Sequence, residues 1–191
     1  MSRDARLEQL VDVAMPLVAE YGIAGFSLDE VADRAGVTRN LLYHYFPRGR
    51  EDVMVAVAER AGHELTDGWV TDESIPLDQR IAANFARFLE HSKEPSLAWR
   101  VYRLERASSD AELHAIIDRF HEVVIQGVSQ NNFGTPDPPL LARMTIKACM
   151  VFGETLLDEA RESEVPREEV LQVFAQTFRS TMDALRSRLT A

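Results

Sequence analysis

Little in this chain suits covalent or metal stapling. Cys149 is the only cysteine among 191 residues. No intrachain disulfide can form, and a reducing compartment is the natural setting. No run approaches eighteen uncharged apolar residues, which excludes a membrane-spanning helix on length. The opening stretch, MSRDARLEQLVDVA, is charged and has no continuous apolar segment, so it reads as neither signal peptide nor anchor. The expectation is a cytoplasmic protein without membrane association. Also missing are a glycine-rich phosphate loop, a nucleophile elbow and any pair of carboxylates that stands out. No enzyme, no catalytic residue and no cofactor are therefore expected. β-Hairpin signals, repeats and low-complexity tracts are lacking as well.

Positive charge is short overall: 21 Lys and Arg stand against 31 Asp and Glu, for a formal net charge of −10. That argues against a protein that binds nucleic acid over its whole surface. One window runs the other way. Between Arg34 and Arg50 lie four arginines (Arg34, Arg39, Arg48, Arg50) and no acid. A local basic stretch on an acidic protein suits a small, aimed contact with DNA.

What is present is a helical chain with a sufficient core, 46% of its residues being hydrophobic. Leu7, Leu10, Val11, Ala14, Leu17, Val18 and Tyr21 recur at three- and four-residue spacing, one face of an amphipathic helix. Gly22 and Gly25 stop it, and Pro16 inside it should bend or weaken it. Ser27-Leu28-Asp29-Glu30 is a capping box that opens a short second helix, which Gly36 ends. Thr38 caps a third, ended by Pro47 and Gly49. A longer helix is expected from about Arg50 to Asp67. Others follow at about Asp78–His91, Ser96–Ala107 and Asp110–Gln130. Asn131 to Pro139 is a break, and two last helices span about Leu140–Glu162 and Pro166–Leu189. The fold class is therefore all-α, with about nine helices.

Two short helices joined through Gly36-Val37, after a longer first helix, form a helix-turn-helix pattern. Leu41, Leu42 and Phe46 hold the second short helix to the core. Thr38, Arg39, Asn40, Tyr43 and His44 are left facing out. Arginine pairs with guanine edges and asparagine with adenine, while threonine, tyrosine and histidine reach bases or phosphates.

The stretch YGIAGFSLDEVADRAGVTRNLLYHYFPRGREDVMVAV, Tyr21 to Val57, closely resembles the DNA-binding domain of the TetR family of bacterial regulators. The glycine-phenylalanine-serine entry, the DEVADRAGVTR core and the YHYFP exit carry the likeness in order and spacing. The resemblance implies a three-helix helix-turn-helix domain over residues 1–47 and a helical effector-binding and dimerisation domain over 48–191. It makes the third helix the recognition helix. Tyr45 and Arg50 match places that grip phosphates, and Ser27 matches a capping place near the DNA backbone. Two features depart from the pattern: Pro16 in the first helix, and Arg48-Gly49, which lengthens the exit loop. The implied function is that of a dimeric repressor, released from a near-palindromic double-stranded operator by a small organic effector.

Aromatic residues of the central helices are core candidates that could also line an effector cavity with a few polar groups. The set is Asn84, Phe85, Phe88, Trp99, Tyr102, Arg103, Phe120, His121, Thr145 and Phe152. The helix from Leu140 is apolar around much of its circumference and must be buried on several sides. With the last helix it supplies the homodimer interface expected at Met150, Gly153, Leu157, Phe174, Phe178, Met182 and Leu185. His114, Asp118 and His121 have a spacing that could hold a metal, but ordinary polar residues explain them better, so no metal is expected. Cys149, in an apolar helix, reads as a buried inert thiol. Ser108-Ser109-Asp110 reads as a helix cap.

Overall fold

The computed structural model describes residues 2–70, 72–76, 79–80, 83–84, 87, 96–106, 110–161 and 163–189; for 105, 106, 157, 161 and 167 it describes the backbone. The fold is all-helical, with no strand among the described residues. Its helices are α1 (Arg3–Gly25), α2 (Leu28–Ala35), α3 (Arg39–Tyr45), α4 (Arg50–Thr66), α5 (Leu97–Arg106), α6 (Ala111–Phe133), α7 (Leu140–Arg161) and α8 (Arg167–Leu189). The helix expected at Asp78–His91, together with Phe85 and Phe88, lies largely outside the described residues.

Two compact units emerge. The first holds Met1–Asp67 with Glu94–Phe120, the second Gly68–Lys93 with His121–Ala191. In the first, α1, α4 and α5 pack on one another, α2 packs on α1, and α3 packs on α2. Of the face that the three-four spacing predicts for α1, Leu10, Val11, Ala14, Leu17 and Val18 are buried, while Leu7 and Tyr21 at the two ends of the pattern are exposed. α4 answers with Val53, Met54, Val57, Ala58, Ala61 and Leu65. α1 continues through Pro16; the residue that leaves helical geometry is Gly22, at φ 75° and ψ 176°. A β-carbon disfavours positive φ, so glycine sets the place of this break. Near it, Arg100 donates to the Ala19 carbonyl at 2.6 Å, and satisfies an acceptor close to the helix end.

In the second unit α7 packs on α8. Gly153 makes the close approach possible: a β-carbon there would stand 2.6 Å from Cε2 of Phe174. Of the cap expected at Ser108-Ser109-Asp110, Ser108 and Ser109 lie outside the described residues. Asp110 accepts from the amides of Glu112 and Leu113 at 2.8 and 3.2 Å and caps α6.

Candidate nucleic-acid interface

The turn between α2 and α3 is built by one conformation. Gly36 adopts the left-handed region at φ 64° and ψ 36°. Its amide donates to the Asp33 carbonyl, and the Val37 amide to that of Ala32. This closes the end of α2 without a side chain. The chain then turns directly into α3, where the Thr38 hydroxyl accepts from the Leu41 amide at 3.2 Å. At the start of α2, Ser27 accepts from the Glu30 amide at 3.4 Å. The Glu30 carboxylate pairs with Arg34 one turn on.

Burial fixes which face of α3 looks outward. Leu42 and Phe46 are buried, Leu41 half-buried. Thr38, Arg39, Asn40, Tyr43 and His44 are all exposed, so the five side chains singled out from sequence share one solvent-facing surface. Tyr45 is half-buried, edge-on to His44 at 5.5 Å. Ser27 is half-buried and holds the start of α2.

Acids from outside the acid-free window meet three of its four arginines. Arg34 pairs with Glu30 at 2.6 Å and Arg39 with Asp29 at 3.1 Å. Arg48 meets Asp52 at 2.6 Å and Glu112 at 2.8 Å. The Glu112 and Asp52 carboxylates hold the Arg48 guanidinium well above its ordinary pKa. The Tyr43 hydroxyl, and after it Asp29, raises that of Arg39. Sequence reading missed Asp29, Asp52 and Glu112, because the window that defined the basic stretch does not contain them.

Arg50 has a structural contact that the sequence does not reveal. Its Nη1 donates to the Ala24 carbonyl at 2.7 Å, and its Cζ lies 5.2 Å from the ring centre of buried Phe26. A cation thus satisfies a carbonyl in the last turn of α1. Just before it, Gly49 has φ 65°, and a β-carbon there would press on Tyr43 and Leu28 at 3.2 and 3.3 Å. The exit loop therefore fixes the α3 face as well as the start of α4.

The other candidates fall as follows. In the first unit, Trp99 and Tyr102 are buried, their ring centres 5.5 Å apart, and Tyr102 lies 5.0 Å from Phe120. Arg103 is exposed. In the second unit, Asn84 is buried and exchanges two hydrogen bonds with the Val70 backbone. His121 is buried; Thr145 donates to the Leu141 carbonyl; Phe152 stacks on Phe174, which stacks on Phe178. Met182 and Leu185 are buried within the chain, Gly153 lies against Phe174, and Met150 is half-buried. The Leu157 side chain lies outside the described residues. Among the described residues no three His, Cys, Asp or Glu side chains gather as metal ligands. Cys149 is buried, and that burial pushes its thiol pKa up. No described helix is long and apolar enough to cross a membrane.

Comparison with known proteins bears on this surface. Residues 10–57 match the family model described as bacterial regulatory proteins, tetR family. The chain is 31% identical over 100 residues to the HTH-type transcriptional activator FasR of Mycolicibacterium smegmatis, over 49% of this chain and 45% of that protein. It is 34% identical over 67 residues to the HTH-type transcriptional regulator BetI of Paraburkholderia phytofirmans, over 35% of this chain and 32% of that protein. These matches span less than half the length of either relative. A tetR-family transcriptional regulator from Streptomyces coelicolor has a similar fold, with a TM-score of 0.79 and 24% identity over 100% of this chain and 90% of that one. NemR of E. coli, in its reduced form, also has a similar fold, with a TM-score of 0.68 and 20% identity over 89% of this chain and 95% of that one.

Proposed function

We propose that the chain, whose residues 10–57 match the family model of the TetR regulators, is a regulator of that family: it binds operator DNA as a homodimer, represses transcription there, and is released by a small organic effector. The observation that carries the reading is the α3 face: five exposed side chains with base- and phosphate-reading chemistry, on a helix capped at Thr38 and seated on buried Leu42 and Phe46. Thr38, Arg39, Asn40, Tyr43 and His44 enter the major groove. Ser27 and Tyr45 meet the DNA backbone. Arg50 contributes chiefly by joining α4 to the end of α1.

Dimerisation is supported by what α7 and α8 leave uncovered. Leu140, Leu141, Met144, Val151 and Phe152 on α7, and Val173 on α8, are exposed; Leu140 is 72% and Met144 61% accessible. Apolar surface of that extent suits a partner. The effector acts through a difference in its affinity for two states of the dimer. Buried polar groups of the second unit, such as the Ser129 hydroxyl, are of the kind that would orient it.

Selection of bound sequences from random duplex DNA tests this reading. A two-fold dimer should enrich a near-palindrome with half-sites about 34–36 Å apart on one face of the duplex, or a multiple of that. A reporter downstream of that sequence should then be silenced by the protein. Enrichment of no sequence would sink the DNA-binding reading; increased transcription would reverse its sign.

A further inference from the structure

Arg39 opens α3 with its guanidinium already engaged. Nη1 lies 3.1 Å from Oδ1 and 3.3 Å from Oδ2 of Asp29, on α2. Its Cζ stands 5.7 Å from the centre of the Tyr43 ring, one turn further along α3. Both partners of the ion pair are more than half exposed, and such pairs contribute little to stability. Nor does attraction to DNA as a polyanion favour the arrangement. A carboxylate on this surface repels phosphates and offsets the charge of the arginine beside it.

The arrangement suits a different target. A base edge is neutral, so its attraction for arginine depends on the direction of the donors rather than on net charge. A guanidinium held before binding loses less freedom on binding. Asp29 engages Nη1 and the Tyr43 hydroxyl also meets the guanidinium, whose Nε and Nη2 form an edge of two parallel donors. Two parallel donors match O6 and N7 of guanine, whose major-groove edge offers two adjacent acceptors. Adenine presents an acceptor beside a donor at the same places, and a guanidinium has no acceptor to answer it.

We infer that Asp29 is a positioning residue for Arg39, and that the ion pair, with the Tyr43 ring beside it, commits Arg39 to reading a guanine in each operator half-site. The inference rests on α3 as the recognition helix. It also makes Asp29 work against binding to DNA of the wrong sequence, where its repulsion of phosphates is not offset by a guanine contact.

The test compares wild type, Asp29→Asn and Arg39→Ala. Each selects from a random duplex library. Each is then titrated against the wild-type-selected duplex, the same duplex carrying 7-deazaguanine at the favoured guanine, and a scrambled duplex. Wild type should fix a guanine in each half-site, and loss of its N7 should weaken binding about ten-fold or more. Both variants should lose that preference, keep the remaining positions and tolerate the 7-deaza base. Asp29→Asn should also bind the scrambled duplex more tightly than wild type does. If Asp29→Asn keeps the guanine while Arg39→Ala loses it, the role of Asp29 is refuted and the groove reading stands. If Asp29→Asn loses every position alike, with a lowered unfolding temperature, Asp29 merely supports α2 and the proposal fails. If wild type enriches nothing, the recognition-helix reading falls and takes the inference with it.

Discussion

In the first unit, buried side chains are apolar and the polar ones lie outside. In the second, Arg80, Asn84, His121, Ser129, Asn131, Asn132 and Glu154 are buried, and these are all the buried polar or charged residues among those described. The second unit also shows more of its large apolar side chains, including Leu140, Leu141, Met144, Val151, Phe152 and Val173. Water is a sufficient neighbour for the first pattern. The second leaves apolar area in water and holds hydrogen-bonding groups inside, as a surface shaped for other molecules does. Substitutions that separate the two patterns should therefore act on different observables.

The largest effect is expected from the closed core of the helix-turn-helix. Leu42 is fully buried, and Leu42→Ala should destabilise the protein by about 2–5 kcal/mol, because removed contacts and an unfilled cavity add. Ile146, on α7, is equally buried, and Ile146→Ala should cost a similar amount. Urea unfolding of the two variants measures both. A loss below about 1 kcal/mol at Leu42 alone would mean that the head is less well packed than the second unit.

Next comes the join of α7 and α8. Gly153→Ala places a methyl group where only 2.6 Å separates it from the Phe174 ring. A stability loss of about 1–3 kcal/mol follows from overpacking. Because Phe174 stacks between Phe152 and Phe178, it has little room to turn aside. Wild-type stability in the variant would show that the ring moves freely.

The exposed apolar face comes third. Met144→Glu with Val151→Glu places two charges, about two turns apart, on the outer side of α7. Buried packing is untouched, since Met144 and Val151 are exposed. The dissociation constant of the proposed dimer should nevertheless rise at least ten-fold, or about 1.4 kcal/mol. Sedimentation across a concentration series reads this. An unchanged association constant would move the interface elsewhere.

Sequence patterning carried further in the first unit for a physical reason. The caps at Ser27 and Thr38 and the turn at Gly36 are local: each depends on residues within four positions. The apolar period of α1 likewise names the middle of its buried face, Leu10 to Val18, though not its ends, where Leu7 and Tyr21 are exposed. Partners from distant segments left no such trace. Nothing near Arg48 in sequence announces Glu112, and nothing near Arg50 announces the Ala24 carbonyl. In the second unit the same period names apolar residues without saying what covers them. Met182 and Leu185 face inward, while Val173 on the same helix faces water. Both kinds read alike as letters.

The smallest effect concerns the polar side of that second unit and depends on pH. Glu122 on α6 pairs with Arg143 on α7. The Arg143 guanidinium, assisted by Gln126, holds the Glu122 carboxyl below the usual carboxylate pKa, against a desolvation effect of opposite sign. A lowered folded-state value means that the unfolded chain takes up the proton first as pH falls. The pair therefore contributes its full stability above the unfolded carboxylate pKa, about 4.3, and loses it as pH falls through the folded-state value. Both side chains are about one-third exposed, at 37% and 34%, so solvent screening keeps the contribution small. Glu122→Gln should lower the unfolding temperature by no more than about 2 °C at pH 7. The gap should close once both proteins are below the folded-state pKa, where wild-type Glu122 is neutral too. Thermal unfolding of the two proteins from pH 7 down to pH 3 traces the closure. A gap that stays constant across that range would mean that shape, rather than charge, is what Glu122 contributes between α6 and α7.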